Sequence, residues 1–76
     1  MTTEEREYRL VYYDTLLGYE DGEYDVDGDY YGSAQEARAT AKEKRKSGLR
    51  VLIEVQTVTM EDGEPIDHSG FTRFPG

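Results

Sequence analysis

Residues 33–60 read SAQEARATAKEKRKSGLRVLIEVQTVTM, and this stretch decides the fold. It opens on a capping box. The Ser33 hydroxyl can accept from the Glu36 amide, and the Glu36 carboxylate can reach back to the Ser33 amide, so two free N–H groups at a helix start are satisfied together. Strong helix formers run from Ala34 to Lys46. Lys44, Arg45 and Lys46 fill the last turn, where cations offset the helix dipole, and Gly48 stands where a left-handed C-terminal residue belongs. Ala34, Ala37 and Ala41 share one face at helical spacing. That face offers only methyl groups, so the helix must lie close against its neighbour. After Leu49 the period changes to two. Val51, Ile53 and Val55 alternate with Leu52, Glu54 and Gln56, the pattern of a strand with one apolar face. A small-residue stripe followed by an alternating strand predicts a helix laid across a sheet.

Working outward, residues 7–17 read as a first strand. Tyr8, Leu10 and Tyr12 share one face, Val11, Tyr13 and Leu17 the other, and Gly18 ends the run. Residues 1–6 are polar and aperiodic and are expected to form a flexible N-terminus, leaving 7–76 as a single domain. Residues 23–26 suit a short strand with Tyr24 and Val26 inward, set between the turn dipeptides Asp21-Gly22 and Asp27-Gly28. Tyr30-Tyr31-Gly32 continues it after a bulge at Gly28. Beyond Met60, residues 61–65 form a turn and residues 66–74 return as an edge strand bracketed by Pro65 and Pro75. The expected fold is α+β: a small antiparallel sheet in the order strand-strand-helix-strand-strand, with one helix packed on one face. Its core should include Leu10, Tyr12, Val26, Ala37, Ala41, Val51, Ile53 and Val55.

Bulk properties narrow the function. A domain of 76 residues buries only about 60% of its unfolded surface, so a 36% hydrophobic content means a thin core with little room for a deep pocket. Without cysteine, neither disulfides nor thiolate metal sites are available. The longest aliphatic run, Val51-Leu52-Ile53, is far short of the roughly 20 residues of a membrane span. The acidic start, Met1 to Glu5, lacks the basic-then-apolar order of a signal peptide, so a cytoplasmic location is expected. Net charge is −8, from 17 acids and 9 bases, which opposes direct binding to a phosphate backbone and suits a partner with a basic surface. The plainer role of such a charge is solubility.

The acids gather in residues 19–31. Glu20, Asp21, Glu23, Asp25, Asp27 and Asp29 are interleaved with Tyr19, Tyr24, Tyr30 and Tyr31. Tyrosine is both a strand former and an interface residue, and rings among carboxylates suit a protein-binding face. Such a face can imitate nucleic acid, with carboxylates in place of phosphates and rings in place of bases. These ten residues are the expected partner-binding site of a non-enzymatic, acidic module. Its sharper form is an inhibitor that occupies a basic nucleic-acid-binding site on a partner protein. Size, charge and layout are those of phage or mobile-element accessory proteins of the anti-restriction and anti-CRISPR kind, although no motif ties the chain to a family.

Two other classes compete. Asp25, Asp27, Asp29 and Glu36 stand at positions 1, 3, 5 and 12 of an EF-hand-like calcium loop, the basis for a calcium-binding regulatory domain. Position 6, which needs glycine for the sharp turn, holds Tyr30, and Glu36 is also claimed by the capping box, so an acidic solvated loop is favoured and no metal or other cofactor is expected. The other class is a structural or assembly protein pairing through the edge strand at 66–74. Catalysis has the least support. Asp67-His68-Ser69 holds the residue types of a triad, but neighbours on an extended segment point to opposite faces and cannot converge. The basic positions Arg38, Lys42 and Arg45 share a helix face without aromatic residues, which describes a solvated helix back better than a nucleic-acid platform.

Overall fold

The helix expected from the capping box is α2 (Ala34–Lys46). In this computed structural model, which describes residues 1–75, Ser33 is its extended N-cap and Ser33 Oγ accepts from the Glu36 amide at 3.2 Å. Its end is a Schellman closure: Gly48, at φ +88°, donates to the Arg45 carbonyl and Leu49 donates to that of Lys44. The other elements are β1 (Thr2–Tyr13), α1 (Leu16–Glu20), β2 (Tyr24–Tyr31), β3 (Val51–Glu61), β4 (Glu64–His68) and β5 (Thr72–Phe74). The protein is α+β, built on one curled antiparallel sheet ordered β2-β1-β3-β4, with β5 also paired to β3.

Cross-strand register assigns the faces. Tyr8, Leu10 and Tyr12 of β1 stand opposite Val55, Ile53 and Val51 of β3, and Ile53 stands opposite Phe74 of β5. This face receives α2. Ala37 and Ala41 are fully buried in one cluster with Tyr8, Leu10, Val51 and Ile53, and Tyr12, Tyr31, Ala34, Val55 and Phe74 pack around it. The alanine stripe allows the close approach that larger residues would block.

The second face is also covered, which corrects the expectation of one helix on one face. Residues 7–17 do not continue as a strand beyond Tyr13. Thr15 caps the short helix α1 by accepting from the Gly18 amide at 2.9 Å. Through α1, the Tyr19 ring meets that of Tyr13 and its hydroxyl reaches Glu54, while Phe71 covers Arg9 from the segment between β4 and β5. Val11, on the same face, is fully buried.

Three further expectations change. Residues 2–6 are not a frayed end: Thr2 to Arg6 pair in register with Glu61 to Thr57. Backbone pairing does not require an apolar side-chain period, so the polar sequence hid this part of the strand. A twelve-residue strand spans about 40 Å, and β1 accordingly sets the 43 Å long dimension of the molecule. Val26 is 43% exposed because β2 is an edge strand, whereas Val58 is buried beside β4 and joins the apolar set. Asp21-Gly22 closes α1 rather than a hairpin, and the hairpin dipeptide is Asp62-Gly63, both at positive φ, joining β3 to β4. The return strand at 66–74 is split into β4 and β5.

Candidate protein-binding edge

The acidic segment lies along one border of the sheet. It begins in α1, turns at Asp21-Gly22 and runs through β2, whose outer side has no strand neighbour among the described residues. The β1–β2 register slips by two residues between Arg9 and Val11, so Asp27, Gly28 and Asp29 bulge opposite Leu10. The bulge expected at Gly28 is thus present. Such irregularity turns side chains away from the regular ladder and discourages further pairing at an edge.

The structure divides the ten expected site residues. Glu20, Asp21, Glu23, Asp25 and Asp29 are exposed. None of them makes an ion pair among the described residues. Asp27 is held: it accepts from the Tyr12 hydroxyl at 2.6 Å and from the Asp29 amide at 3.2 Å. These bonds stabilise its carboxylate and hold its pKa below the ordinary value of 3.8, with the Tyr12 bond the largest cause. The same bond, helped by burial, pushes the Tyr12 hydroxyl up to about 12.

Three of the four site tyrosines turn inward. Tyr31 packs against the α2 face. Tyr19 and Tyr24 meet on the other face with rings tilted at 46° and centroids 5.3 Å apart, and the Tyr19 hydroxyl donates to Glu54 at 2.7 Å. Burial, then that hydrogen bond, raises Tyr19 to about 12. Tyr30 alone is largely exposed, at 59%, with its ring tilted against Phe71 at 5.8 Å. The exposed edge is therefore carboxylate-rich with one largely exposed ring, Tyr30, while the other tyrosines turn inward.

That support contains a group the sequence reading passed over. Arg9 and Glu54 form an ion pair at 2.7 Å under Phe71 and Tyr19. The available signal was Glu54 itself, a charge inside the apolar run from Val51 to Val55.

The four carboxylates of the calcium pattern are not gathered. Among the described residues no group of three or more acidic, histidine or cysteine side chains could hold a metal ion. Asp25, Asp27 and Asp29 lie along β2 and its bulge, and Glu36 stands in the first turn of α2. Asp67, His68 and Ser69 also fail to converge. Asp67 accepts from the His68 backbone amide, and Ser69 Oγ accepts from Thr57 N and donates to Gly70 O. The basic helix face is partly occupied with packing: Arg38 lies over the Phe74 ring and Arg45 donates twice to the Val51 carbonyl. No described helix is long and apolar enough to cross a membrane.

Comparison with protein-family models, with curated proteins and with solved structures finds no match to this chain.

Proposed function

We propose that the chain is a non-enzymatic protein-binding module whose acidic edge, residues 19–31, occupies a basic, nucleic-acid-binding surface on a partner protein. The observation that carries this reading is the set of exposed carboxylates at Glu20, Asp21, Glu23, Asp25 and Asp29, which make no ion pair among the described residues and share the segment with the exposed ring of Tyr30. Charge on an edge strand also keeps sheets from pairing edge to edge. That role calls for a single charge or two, and it leaves the exposed tyrosine unexplained. Carboxylates in series attract a basic surface over long range, and Tyr30, at the end of the series, supplies an apolar contact of the kind on which interfaces depend.

An inhibitor of the anti-restriction or anti-CRISPR type is the specific form of this proposal. Its test is capture of a nucleic-acid-binding partner at low salt, release at high salt, and loss of capture on charge reversal at the exposed Glu23, Asp25 and Asp29. The partner's nucleic acid must also compete with the chain for the same surface. Capture that survives the charge reversal would show that the edge is not the interface.

A further inference from the structure

We infer that the outer face of α1 is the apolar anchor of the protein-binding edge, and that its occupant is a patch of aliphatic side chains ringed by lysine or arginine on the basic partner. The inference rests on the proposed protein-binding role and adds to it the place where the contact becomes dry.

α1 turns two residues inward. Gly18 is buried, and the Tyr19 ring meets those of Tyr13 and Tyr24 while its hydroxyl reaches Glu54. Residues four apart share a helix face, so Leu16 stands with Glu20 and Leu17 with Asp21 on the side left outward. All four are exposed, Leu16 at 50% and Leu17 at 70%. Leu49, also exposed, lies at the same end of the sheet: its neighbour Arg50 donates through its guanidinium to the Asp14 carbonyl and accepts from the Tyr13 amide. Three of the chain's five leucines are therefore exposed at one end, whereas only Leu10 among them is fully buried. In a chain that is 36% hydrophobic, that is apolar surface withheld from a thin core. One exposed leucine needs no explanation, but a group of them bordered by charge is the pattern of a contact surface.

The charges around the leucines say what covers them. Glu20 and Asp21 end α1, where a helix favours cations, and its last turn contains none. Neither carboxylate makes an ion pair among the described residues. Lysine or arginine on a partner supplies the missing charge at that helix end, and aliphatic side chains between those cations cover Leu16 and Leu17. A second copy would set acid against acid, and an anionic membrane surface would be repelled in the same way. The chain runs from this face through Asp21-Gly22 directly into the acidic strand β2, so one basic surface can engage both. The carboxylates then steer and orient the partner, and the leucines, once covered, hold it.

The test uses the full chain and two lysine-rich helical peptides as probes, one with leucines along one face and one with alanines in their place, followed by amide NMR. At low salt both should bind through the carboxylates, and the leucine peptide should bind about tenfold more tightly, the effect of covering an aliphatic side chain. Its additional shifts should fall on Leu16, Leu17, Glu20, Asp21 and Leu49. Its advantage should persist at high salt, where the shared electrostatic part fades. Leu16→Gln with Leu17→Gln keeps good helix formers in α1 and should abolish that advantage. Ile66→Gln, an exposed position at the far end of the sheet, should leave it unchanged. Nuclear Overhauser contacts between the Tyr19 and Tyr24 rings establish that α1 stays docked in the double variant; if they are lost, Leu17→Gln alone, at the more exposed position, takes its place. Equal binding of the two peptides, or an advantage that survives the leucine substitutions, would overturn the anchor and leave the acidic edge standing. Concentration-dependent shifts of Leu16 and Leu17 without peptide would assign the face to a second copy and overturn it as well. Failure of both peptides to bind at low salt would remove the anchor and the acidic edge together.

Discussion

Arg9 and Glu54 stand opposite each other on β1 and β3 and form an ion pair at 2.7 Å, with side chains 18% and 6% exposed. Each end is covered by an aromatic residue from a segment outside those strands. The Arg9 guanidinium lies 3.9 Å from the centroid of Phe71, and Glu54 accepts from the Tyr19 hydroxyl. The pair thus ties α1 and the β4–β5 connection to the centre of the sheet, and it carries the base on which Tyr19, Tyr24 and Tyr30 rest. Removing one partner leaves the other charged and desolvated, at a cost of about 3–5 kcal/mol. Arg9→Ala and Glu54→Ala should each destabilise to that extent in urea denaturation. Arg9→Met with Glu54→Leu, made in a Tyr19→Phe background so that no hydroxyl loses its acceptor, should recover most of the loss. A double variant as unstable as the singles would show that packing, rather than charge, is what those positions supply.

Tyr12 and Asp27 share one hydrogen bond and give two opposite pH dependences. Asp27 has its pKa lowered in the fold, so its contribution is present above the unfolded value near 3.8 and is lost as pH falls through the lower folded value. Tyr12 and Tyr19 are raised from 10 to about 12, so their contribution is complete below pH 10 and is lost as pH rises towards 12. Stability should therefore fall at both extremes. Tyrosinate absorbance should show a late-titrating component that shrinks in Tyr12→Phe and again in Tyr19→Phe. In Tyr12→Phe the Asp27 carboxyl should also titrate closer to the ordinary carboxylate range by carbon-detected NMR. An unchanged late component in both variants would remove the assigned cause.

The elements were unequally legible in the sequence. α2 and β3 could be read closely, because a capping box, a glycine C-terminus and a period-two apolar run are local signals. α1 could not. Leu16-Leu17-Gly18 is too short to show a helical period, and it extends the alternation of the preceding strand; only Asp14-Thr15 hinted at a break. Strand order leaves no periodic trace at all, so nothing in Glu23 to Tyr31 said that it would form the sheet's border. Composition marked residues 19–31 as acidic and tyrosine-rich. It did not say that Tyr19, Tyr24 and Tyr31 would turn inward and leave Tyr30 as the exposed ring, since tyrosine suits either environment.

Gly18 is the tightest point of α1. A Cβ there would sit 3.0 Å from Thr15 Oγ1, the capping atom, and 3.2 Å from Glu23 Oε2. The Glu23 carboxylate is the end of a flexible side chain and can move, but the Thr15 hydroxyl is fixed by its own bond to the Gly18 amide. Gly18→Ala should therefore fail to deliver the roughly 1 kcal/mol that alanine gains over glycine inside a helix. Thr15→Ala should cost about 1 kcal/mol through loss of the cap. Combining the two should cost less than their sum, because the clash is with the atom that Thr15→Ala removes. Strict additivity in thermal melts would show that the cap and the glycine act independently.

The acidic edge makes a prediction that needs no partner. Like charges placed in series repel one another in the folded state, and nothing among the described residues pairs with them. Glu23→Gln, Asp25→Asn and Asp29→Asn together should leave the fold intact and change its stability by no more than about 0.5 kcal/mol, in the stabilising direction. The gain should be larger at low salt than at physiological salt, because screening already relieves the repulsion between exposed charges. Such a gain would mean that the edge keeps its charges at a small cost to the fold, as the proposed contact with a basic partner requires. If the triple variant is instead destabilised by more than about 1 kcal/mol, the carboxylates serve the fold, and the case for an edge held ready for a basic partner loses its energetic basis.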